Sequence, residues 1–262
     1  MKISCSSVCY AHLPLEDTLR KISSAGFKNL ELVAVRGWIH IDAGEISAEK
    51  LDALCRKNNL TLTALHAGNI DTSSDDTANK GVSYIKSVID LAQKLAVDKI
   101  VFTGGIRKGG PRTGSTLSRY IQGLKELVKY IEGKDIHLCI ENHYKNEIET
   151  IEDMQRVVEE IEHPQVGLTA DTGHFTSSQI SLDDVIDKLG SKIKHVHIKD
   201  HKGTRSVSLG MGDTNNKEFV KNLSQIGYQG ELSMELEVED KENTDTYVKE
   251  GYRYMNNLLR LS

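Results

Sequence analysis

In the segment KIKHVHIKD at residues 192–200, apolar and polar side chains alternate with a period of two. Such alternation is typical of a β-strand whose two faces meet different surroundings. His195 and His197 lie on one face of this strand, while Val196 and Ile198 lie on the other. One face therefore carries imidazoles that bind metals or protons, and the opposite face is hydrophobic.

Three other segments share this alternation and end at a charged residue: DIHLCIEN at 135–142, QVGLTAD at 165–171 and GELSMELE at 230–237. Counting by twos places four residues on matching faces near the ends of these strands: Glu141, Asp171, His197 and Glu235. A single acid at such a position often pairs with Lys or Arg and ties loops together. Three carboxylates and an imidazole at the ends of consecutive strands instead predict a divalent-metal site.

The rest of the chain repeats a strand–helix unit eight times. Strand-like segments lie near 2–8, 28–34, 60–66, 98–104, 135–141, 165–171, 193–199 and 231–237. Helical patterns lie near 15–25, 47–58, 77–96, 116–132, 150–161, 181–189, 216–226 and 243–260, with Ser47 and Thr150 as predicted N-caps. This order predicts an α/β protein, a single closed (β/α)₈ TIM barrel. An open doubly wound sheet is the alternative, but no GxGxxG motif follows the first strand.

Length and composition limit the classes of protein to which this chain can belong. The 262 residues are close to the length of about 250 that is typical of such barrels, so one barrel domain is predicted over residues 1–262. A net charge of −5 gives no sign of nucleic-acid or membrane binding. The N-terminal segment runs directly into the first strand, so no signal peptide is expected. Four cysteines without CxxC spacing predict free thiols in a reducing cytoplasm: Cys5, Cys9, Cys55 and Cys139.

Five stretches of the chain share their motifs with one enzyme superfamily: IENHYKN, LTADTGHF, IKHVHIKD, LGMGDTN and GYQGELSMELE. They resemble the sugar phosphate isomerase/epimerase superfamily, the TIM barrels related to xylose isomerase. The resemblance covers most of the chain and is strongest from 135 to 237. It implies a metal held by Glu, Asp, His and a second Glu, which correspond to Glu141, Asp171, His197 and Glu235. The second His of the H-x-H pair is the usual ligand, so His195 is predicted to support the barrel.

The chemistry of the ligands limits the metal and the substrate. Three carboxylates and one imidazole form a hard oxygen and nitrogen site that favours Mn²⁺, with Mg²⁺, Co²⁺ or Zn²⁺ as alternatives. The cluster carries a formal charge of −1 with one divalent ion, which suits a neutral sugar. The predicted activity is isomerisation or epimerisation of a keto-sugar or keto-polyol through a metal-stabilised enediolate. Glu141 and Glu235 are the predicted acid/base pair, because ligand glutamates have this second role in the superfamily.

Two other activities stay open. A leaving group β to the carbonyl would be expelled from the same enediolate, which gives a metal-dependent lyase or dehydratase acting on a keto-sugar or 3-keto-glycoside. A hydrolytic relative of the apurinic endonucleases would need more histidine ligands and a DNA-binding surface, and no obvious basic patch is present. The expected partner is a small-molecule sugar, with neither nucleic acid nor membrane. A homo-oligomer is compatible with the superfamily, whose members often form dimers or tetramers.

Three candidate substrate contacts lie close to the predicted ligands. His174, in the DTGH turn, resembles the superfamily's substrate-contacting His; the alternative is a loop anchor. His143 has the same parity as Glu141 and is a candidate additional acid or base, which would favour the lyase. Lys199 shares the face of His197 and either polarises a substrate oxygen or pairs with a carboxylate.

Further candidates lie on other strands and loops. His66 ends the third predicted strand and Glu31 lies in the second; either could reach the substrate. Arg205, in the loop after the seventh strand, is a candidate substrate-binding residue. The glycine-rich basic loop at 102–115 is either a lid over the substrate or a solvated surface loop.

Overall fold

The parallel strands of the structure close into a barrel. The structure, a computed structural model, describes residues 1–106 and 113–261. Its strands are β1 (Lys2–Ser6), β2 (Asn29–Val35), β3 (Ile39–His40), β4 (Thr61–Asp71), β5 (Lys99–Ile106), β6 (His137–Glu141), β7 (Val166–Asp171), β8 (Ile193–Ile198), β9 (His201–Lys202), β10 (Arg205–Ser206) and β11 (Glu231–Met234). The barrel runs β1, β2, β4, β5, β6, β7, β8 and β11, and Cys5 of β1 pairs with both Leu30 of β2 and Met234 of β11. This closure confirms the predicted (β/α)₈ barrel over the open sheet.

Helices follow the barrel strands and cover their outer face. They are α1 (Leu15–Ala25), α2 (Ala48–Lys57), α3 (Asp75–Lys94), α4 (Gly114–Ile131), α5 (Ile151–Ile161), α6 (Thr172–Ser177), α7 (Leu182–Leu189), α8 (Asn216–Gln225) and α9 (Thr244–Leu261), with 3₁₀ helices at Ser7–Tyr10 and Gly190–Lys192. The predicted N-caps are confirmed, because Ser47 accepts the N–H of Lys50 and Thr150 forms a capping box with Asp153. Apolar side chains such as Leu19 of α1 are fully buried against the barrel.

Several elements differ from the sequence-based prediction. The first strand ends at Ser6 and not at residue 8, because the Ser6 hydroxyl accepts the N–H of Val8 and caps a 3₁₀ helix. The last strand ends at Met234 and not at residue 237. Glu235 nevertheless stays aligned with β8, since its N–H donates to the carbonyl of Ile198 at 3.2 Å. The short elements β3, α6, β9 and β10 were not predicted.

The barrel interior is polar and contains small residues. Ser4, Thr169 and Ser233 are fully buried there. Lys99 lies 3.2 Å from both Asp98 and Glu231, and this ion-pair group lies at the amino end of the strands. Small inward-facing side chains leave room near the axis at the other end of the barrel, where the predicted site lies.

A further prediction concerns the cysteines. All four cysteines are buried free thiols, as expected from their spacing. Across residues 1–106 and 113–261, helices long and apolar enough to cross a membrane are absent. The predicted lid depends on Arg107, Lys108 and Arg112, which lie outside the described residues.

Candidate metal centre

The four predicted metal ligands converge at the carboxyl end of the barrel. Glu141 ends β6, Asp171 ends β7, His197 lies in β8, and Glu235 directly follows β11. All four are buried, and their ligand atoms lie within 4.8 Å of one another. His197 Nδ1 lies 2.6 Å from Glu141 Oε1, 2.7 Å from Glu235 Oε2 and 3.6 Å from Asp171 Oδ2. One ring nitrogen therefore faces three carboxylates; the role of these residues as ligands stays a prediction.

Two buried oxygens at this centre indicate that the residues fit a cation. Asp171 Oδ2 and Glu235 Oε2 have no hydrogen-bond partner within the described part of the chain. Glu235 Oε2 is close to His197 Nδ1, but the contact lacks hydrogen-bond geometry. A buried acceptor left without a donor costs about 1–3 kcal/mol, and more when it is charged. Carboxylate oxygens are hard ligands, so a divalent ion would satisfy both atoms.

Lys199 provides the positive charge beside these carboxylates. Its side chain is buried, and Nζ lies 2.8 Å from Glu237 Oε2, 3.0 Å from Glu235 Oε1 and 3.4 Å from Asp171 Oδ2. Burial lowers the pKa of Lys199, but Asp171 and Glu235 raise it well above its ordinary value. Burial raises the pKa of Asp171, but Lys199 holds it below its usual range. Lys199 is thus cationic and pairs with carboxylates, one of the two roles predicted for it.

The unpredicted helix α6 explains how Asp171 is held. Asp171 Oδ1 accepts the N–H of His174 at 2.7 Å and caps α6, which leaves Oδ2 directed at the metal centre. Asn142 also fixes the strand end, because its side chain accepts the N–H of Asp171 at 2.8 Å and donates to its carbonyl at 3.3 Å. Sequence reasoning missed Asn142, although the E-N pair in IENHYKN was the available signal.

Gly173 allows α6 to lie close to the residues that follow β8. A Cβ at this position would lie 2.6 Å from the Lys199 Cβ and 2.8 Å from the His201 ring, closer than carbon atoms approach without displacement. The neighbouring Thr172 hydroxyl donates to the Lys199 carbonyl and accepts the Lys199 N–H, both at 3.0 Å. The DTGH motif therefore joins β7 to β8 at the site.

Four of the six candidate substrate contacts line one cavity of about 260 Å³ above the metal centre: His66, His143, His174 and Lys199. His66 also supports Glu141. The Gly68 N–H donates to His66 Nδ1 at 3.2 Å, so the ring proton lies on Nε2 and donates to Glu141 Oε2 at 3.2 Å. Trp38, which is 58% exposed, and Val33 form part of an apolar wall of the same cavity.

His143 and His174 lie together on one side of the cavity. Their ring centroids are 3.9 Å apart with an interplanar angle of 35°. Burial lowers the pKa of His174 to about 3, so its imidazole is neutral at neutral pH. His174 Nε2 lies 3.4 Å from Lys199 Nζ. The two rings and the ammonium group together present polar atoms to a ligand in the cavity.

Two predicted residues lie elsewhere. Arg205 is exposed in the β9–β10 hairpin and lines a separate groove with Met211 and Tyr247, so the structure does not bring it to the cavity. Glu31 lies deeper than a substrate contact would. It is fully buried on the barrel axis and contacts both His195 and His197. Glu31 lies two positions before Val33, which lines the cavity, so the two side chains share one face of β2. This period of two was a signal that sequence reasoning did not use.

Asp200 organises the loop that follows β8, and its replacement tests that role. Asp200 is buried; Oδ2 accepts the N–H groups of Gly210 at 2.8 Å and Gly212 at 3.0 Å, and Oδ1 accepts that of Thr214 at 3.2 Å. Asp200→Asn is expected to lower the free energy of unfolding by about 2–4 kcal/mol, because an amide cannot accept all three bonds. Denaturant unfolding would measure this loss. Asp213→Asn, in the same loop, is the control; an equal loss in both variants would contradict the role of Asp200.

Comparison with known proteins agrees with the barrel fold. The family model described as xylose isomerase-like TIM barrel matches residues 19–258. The chain belongs to this family. The resemblance noted in the sequence is thereby confirmed.

Curated relatives with similar sequences include two enzymes that have different activities. The uncharacterised protein YfiH of Bacillus subtilis is 26% identical over 90% of this chain and 93% of its own length. A D-psicose 3-epimerase of Ruminiclostridium cellulolyticum is 25% identical over 83% of this chain and 76% of its own length. An inosose dehydratase of Mesomycoplasma hyopneumoniae is 26% identical over 56% of each chain, so this chain spans about half of that relative.

Solved structures show the same fold at lower identity. A D-allulose 3-epimerase from Methylomonas sp. superposes with a TM-score of 0.80 at 20% identity, covering 98% of both chains. The IolI protein, solved with a zinc atom, superposes with a TM-score of 0.82 at 17% identity, also covering 98% of both chains. At these identities the likeness establishes the barrel alone.

Proposed function

We propose that this chain is a divalent-metal-dependent epimerase or isomerase of a keto-sugar or keto-polyol. The observation that carries the proposal is the meeting of Glu141 and Glu235 at His197 Nδ1, at 2.6 and 2.7 Å. These glutamates come from β6 and from the end of β11, which are not neighbours in the barrel. Two carboxylates that approach one small cavity from separate strands can act on different faces of a bound substrate.

The chain's own residues supply the proton transfers. A divalent cation held by the four proposed ligands would stabilise negative charge that develops on substrate oxygens. One glutamate removes the proton from the carbon α to the carbonyl, and the C–H electron pair passes into an enediolate. The other glutamate, in its protonated form, returns a proton. Return to the opposite face of the same carbon gives an epimer, while return to the neighbouring carbon gives an isomer.

The cavity suits a small polyhydroxylated substrate. The cavity has a volume of about 260 Å³. Polar groups of His66, His174 and Lys199 line it beside the two glutamates. Lys199 and His174 lie close enough together to bind adjacent substrate oxygens. The similarity to a D-psicose 3-epimerase over most of both chains supports a ketose as the substrate.

A second candidate is a lyase, and His143 is the observation that favours it. His143 lines the cavity against His174, which gives the site a third potential acid or base besides the two glutamates. Expulsion of a leaving group β to the carbonyl needs an additional proton donor for that group. Inosose dehydratase is among the relatives, with about half of its length matched.

Proton NMR in D₂O would test the function. The protein would be stripped of metal, reconstituted with Mg²⁺, and incubated with ketoses, keto-inositols and 3-keto-glycosides. Deuterium entering at the carbon α to the carbonyl, together with a new sugar, is the expected result. Loss of water or an aglycone would establish the lyase, and absence of any exchange across the panel with metal-loaded protein would contradict both.

The variant His143→Ala separates the two candidate activities. For an epimerase or isomerase we expect little change in kcat, because the two glutamates perform both proton transfers. For a lyase we expect a fall of about 10²–10⁴-fold, which is typical for loss of a general acid or base. The kcat of purified variant and unchanged protein on the same substrate would be compared. His163→Ala, outside the cavity on the loop after α5, is the control for nonspecific damage.

A further inference from the structure

Glu31 is a buried carboxylate of β2 that is not one of the four proposed ligands. Its side chain is fully buried on the barrel axis. Glu31 Oε2 lies 2.5 Å from His195 Nε2, and both carboxylate oxygens lie within hydrogen-bond distance of His197 Nε2, at 3.0 and 3.1 Å. Burial of a carboxylate is costly unless donors satisfy it. The two histidines of the H-x-H motif supply these donors.

The direction of these hydrogen bonds orients His197. An ionised carboxylate only accepts hydrogen bonds, so Nε2 carries the hydrogen in both rings. The opposite nitrogen of His197, Nδ1, faces Glu141, Asp171 and Glu235, and a bound cation would replace the hydrogen that Nδ1 shares with Glu141 Oε1 at 2.6 Å. Histidines that bind metals generally donate their other N–H to a carboxylate or carbonyl, which fixes the ring and raises its basicity.

We infer that Glu31 is a positioning residue that aims His197 Nδ1 at the metal site by accepting the Nε2 hydrogen. His195 holds Glu31 in turn. His195 Nδ1 has no hydrogen-bond partner among residues 1–106 and 113–261, so the bond to Glu31 orients this ring. The inference rests on the proposed metal centre but is independent of which reaction follows.

A second arrangement of the same atoms must be distinguished. The ligand atoms of Glu31, His195 and His197 also lie within 4.8 Å of one another. An ion at that position would make Glu31 a ligand and give two ions per chain. Both oxygens of Glu31 have hydrogen-bond partners, unlike Asp171 Oδ2 and Glu235 Oε2, which favours the positioning role. The number of ions bound per chain separates the two arrangements.

Calorimetric titration of the metal-stripped protein with Mn²⁺ tests the inference. The unchanged protein is expected to bind one ion per chain, and Glu31→Gln is expected to raise the Kd by about 10–100-fold. Glu31→Asp keeps the charge and should recover part of the affinity. The control is Glu231→Gln, another buried glutamate of the barrel, which pairs with Lys99 at the opposite end and should leave the Kd unchanged.

Each outcome decides the inference. Unchanged affinity in a folded Glu31→Gln protein, or two ions per chain falling to one in the variant, would overturn it. If Glu31→Gln does not fold, ¹⁵N-histidine NMR of the unchanged protein with Zn²⁺ decides: His197 must show metal at Nδ1 and hydrogen at Nε2, and the reverse overturns the role. Failure of the unchanged protein to bind Mn²⁺ would contradict the metal centre itself, whereas failure to convert sugars would leave this result intact.

Discussion

Replacement of Glu235 by glutamine is expected to lower kcat by about 10²–10⁴-fold on the substrate that shows deuterium exchange. Glutamine has nearly the same shape and keeps an oxygen that can contact Lys199, which lies 3.0 Å from Glu235 Oε1. It cannot take up or release a proton in the reaction. The deficit should therefore persist at saturating metal and substrate, and deuterium wash-in should fall with kcat. Steady-state kinetics with metal analysis of the same sample would measure both.

The control for this experiment is Glu239→Gln, which changes an exposed residue four positions further along the chain. It should retain full activity. If Glu235→Gln kept both its metal and its full activity, the assignment of Glu141 and Glu235 as the acid/base pair would be wrong. If Glu235→Gln lost its metal and excess metal restored its activity, Glu235 would be a metal ligand and not an acid or base.

Asp171→Asn is expected to abolish the response of the protein to metal. For the unchanged protein, chelation should remove turnover and added Mn²⁺ should restore it. An ion at 100 times its Kd should also stabilise the fold by about 2.7 kcal/mol. Asn is as good an N-cap as Asp, so the variant keeps the cap of α6 while losing the charged oxygen that faces His197. Thermal unfolding with and without Mn²⁺ would show both effects.

Comparing the variants separates the effect of metal binding on thermal unfolding from the effect of the substitution on the fold. Without metal, Asp171→Asn should unfold near the temperature of the unchanged protein, because the α6 cap remains. With metal, only the unchanged protein should shift upward. Asp184→Asn, in the exposed first turn of α7, is the control and should respond normally. A normal metal response in Asp171→Asn would remove Asp171 from the proposed ligand set.

The barrel could be predicted because its determinants are local. Alternation in KIKHVHIKD depends on the strand itself, and the helix starts at Ser47 and Thr150 depend on hydroxyls that accept backbone N–H groups three residues away. Parity then places Glu141, Asp171, His197 and Glu235 on matching faces without knowledge of strand pairing. In a barrel, matching faces at matching ends meet, so the candidate site followed from the same local pattern.

Other features depended on contacts between distant segments. Glu31 is 164 residues from His195 in the chain, and their contact follows only from closure of the barrel through β1. Asn142 clamps Asp171 across neighbouring strands, and α6 is too short to give a helical period. The same limit applies to Arg205, whose loop position gave no indication that the β9–β10 hairpin directs it to a separate groove.

The barrel, its strand order and the residues that face its axis could be predicted from the chain alone, because side-chain alternation and helix caps act over a few residues. The way in which these inward groups divide their contacts depends on the folded barrel. Asp171 uses one oxygen to cap α6 and presents the other to His197, while Glu31 accepts hydrogen bonds from both histidines. These divisions arise because buried polar atoms must find partners across the barrel, and those partners depend on the register of all its strands.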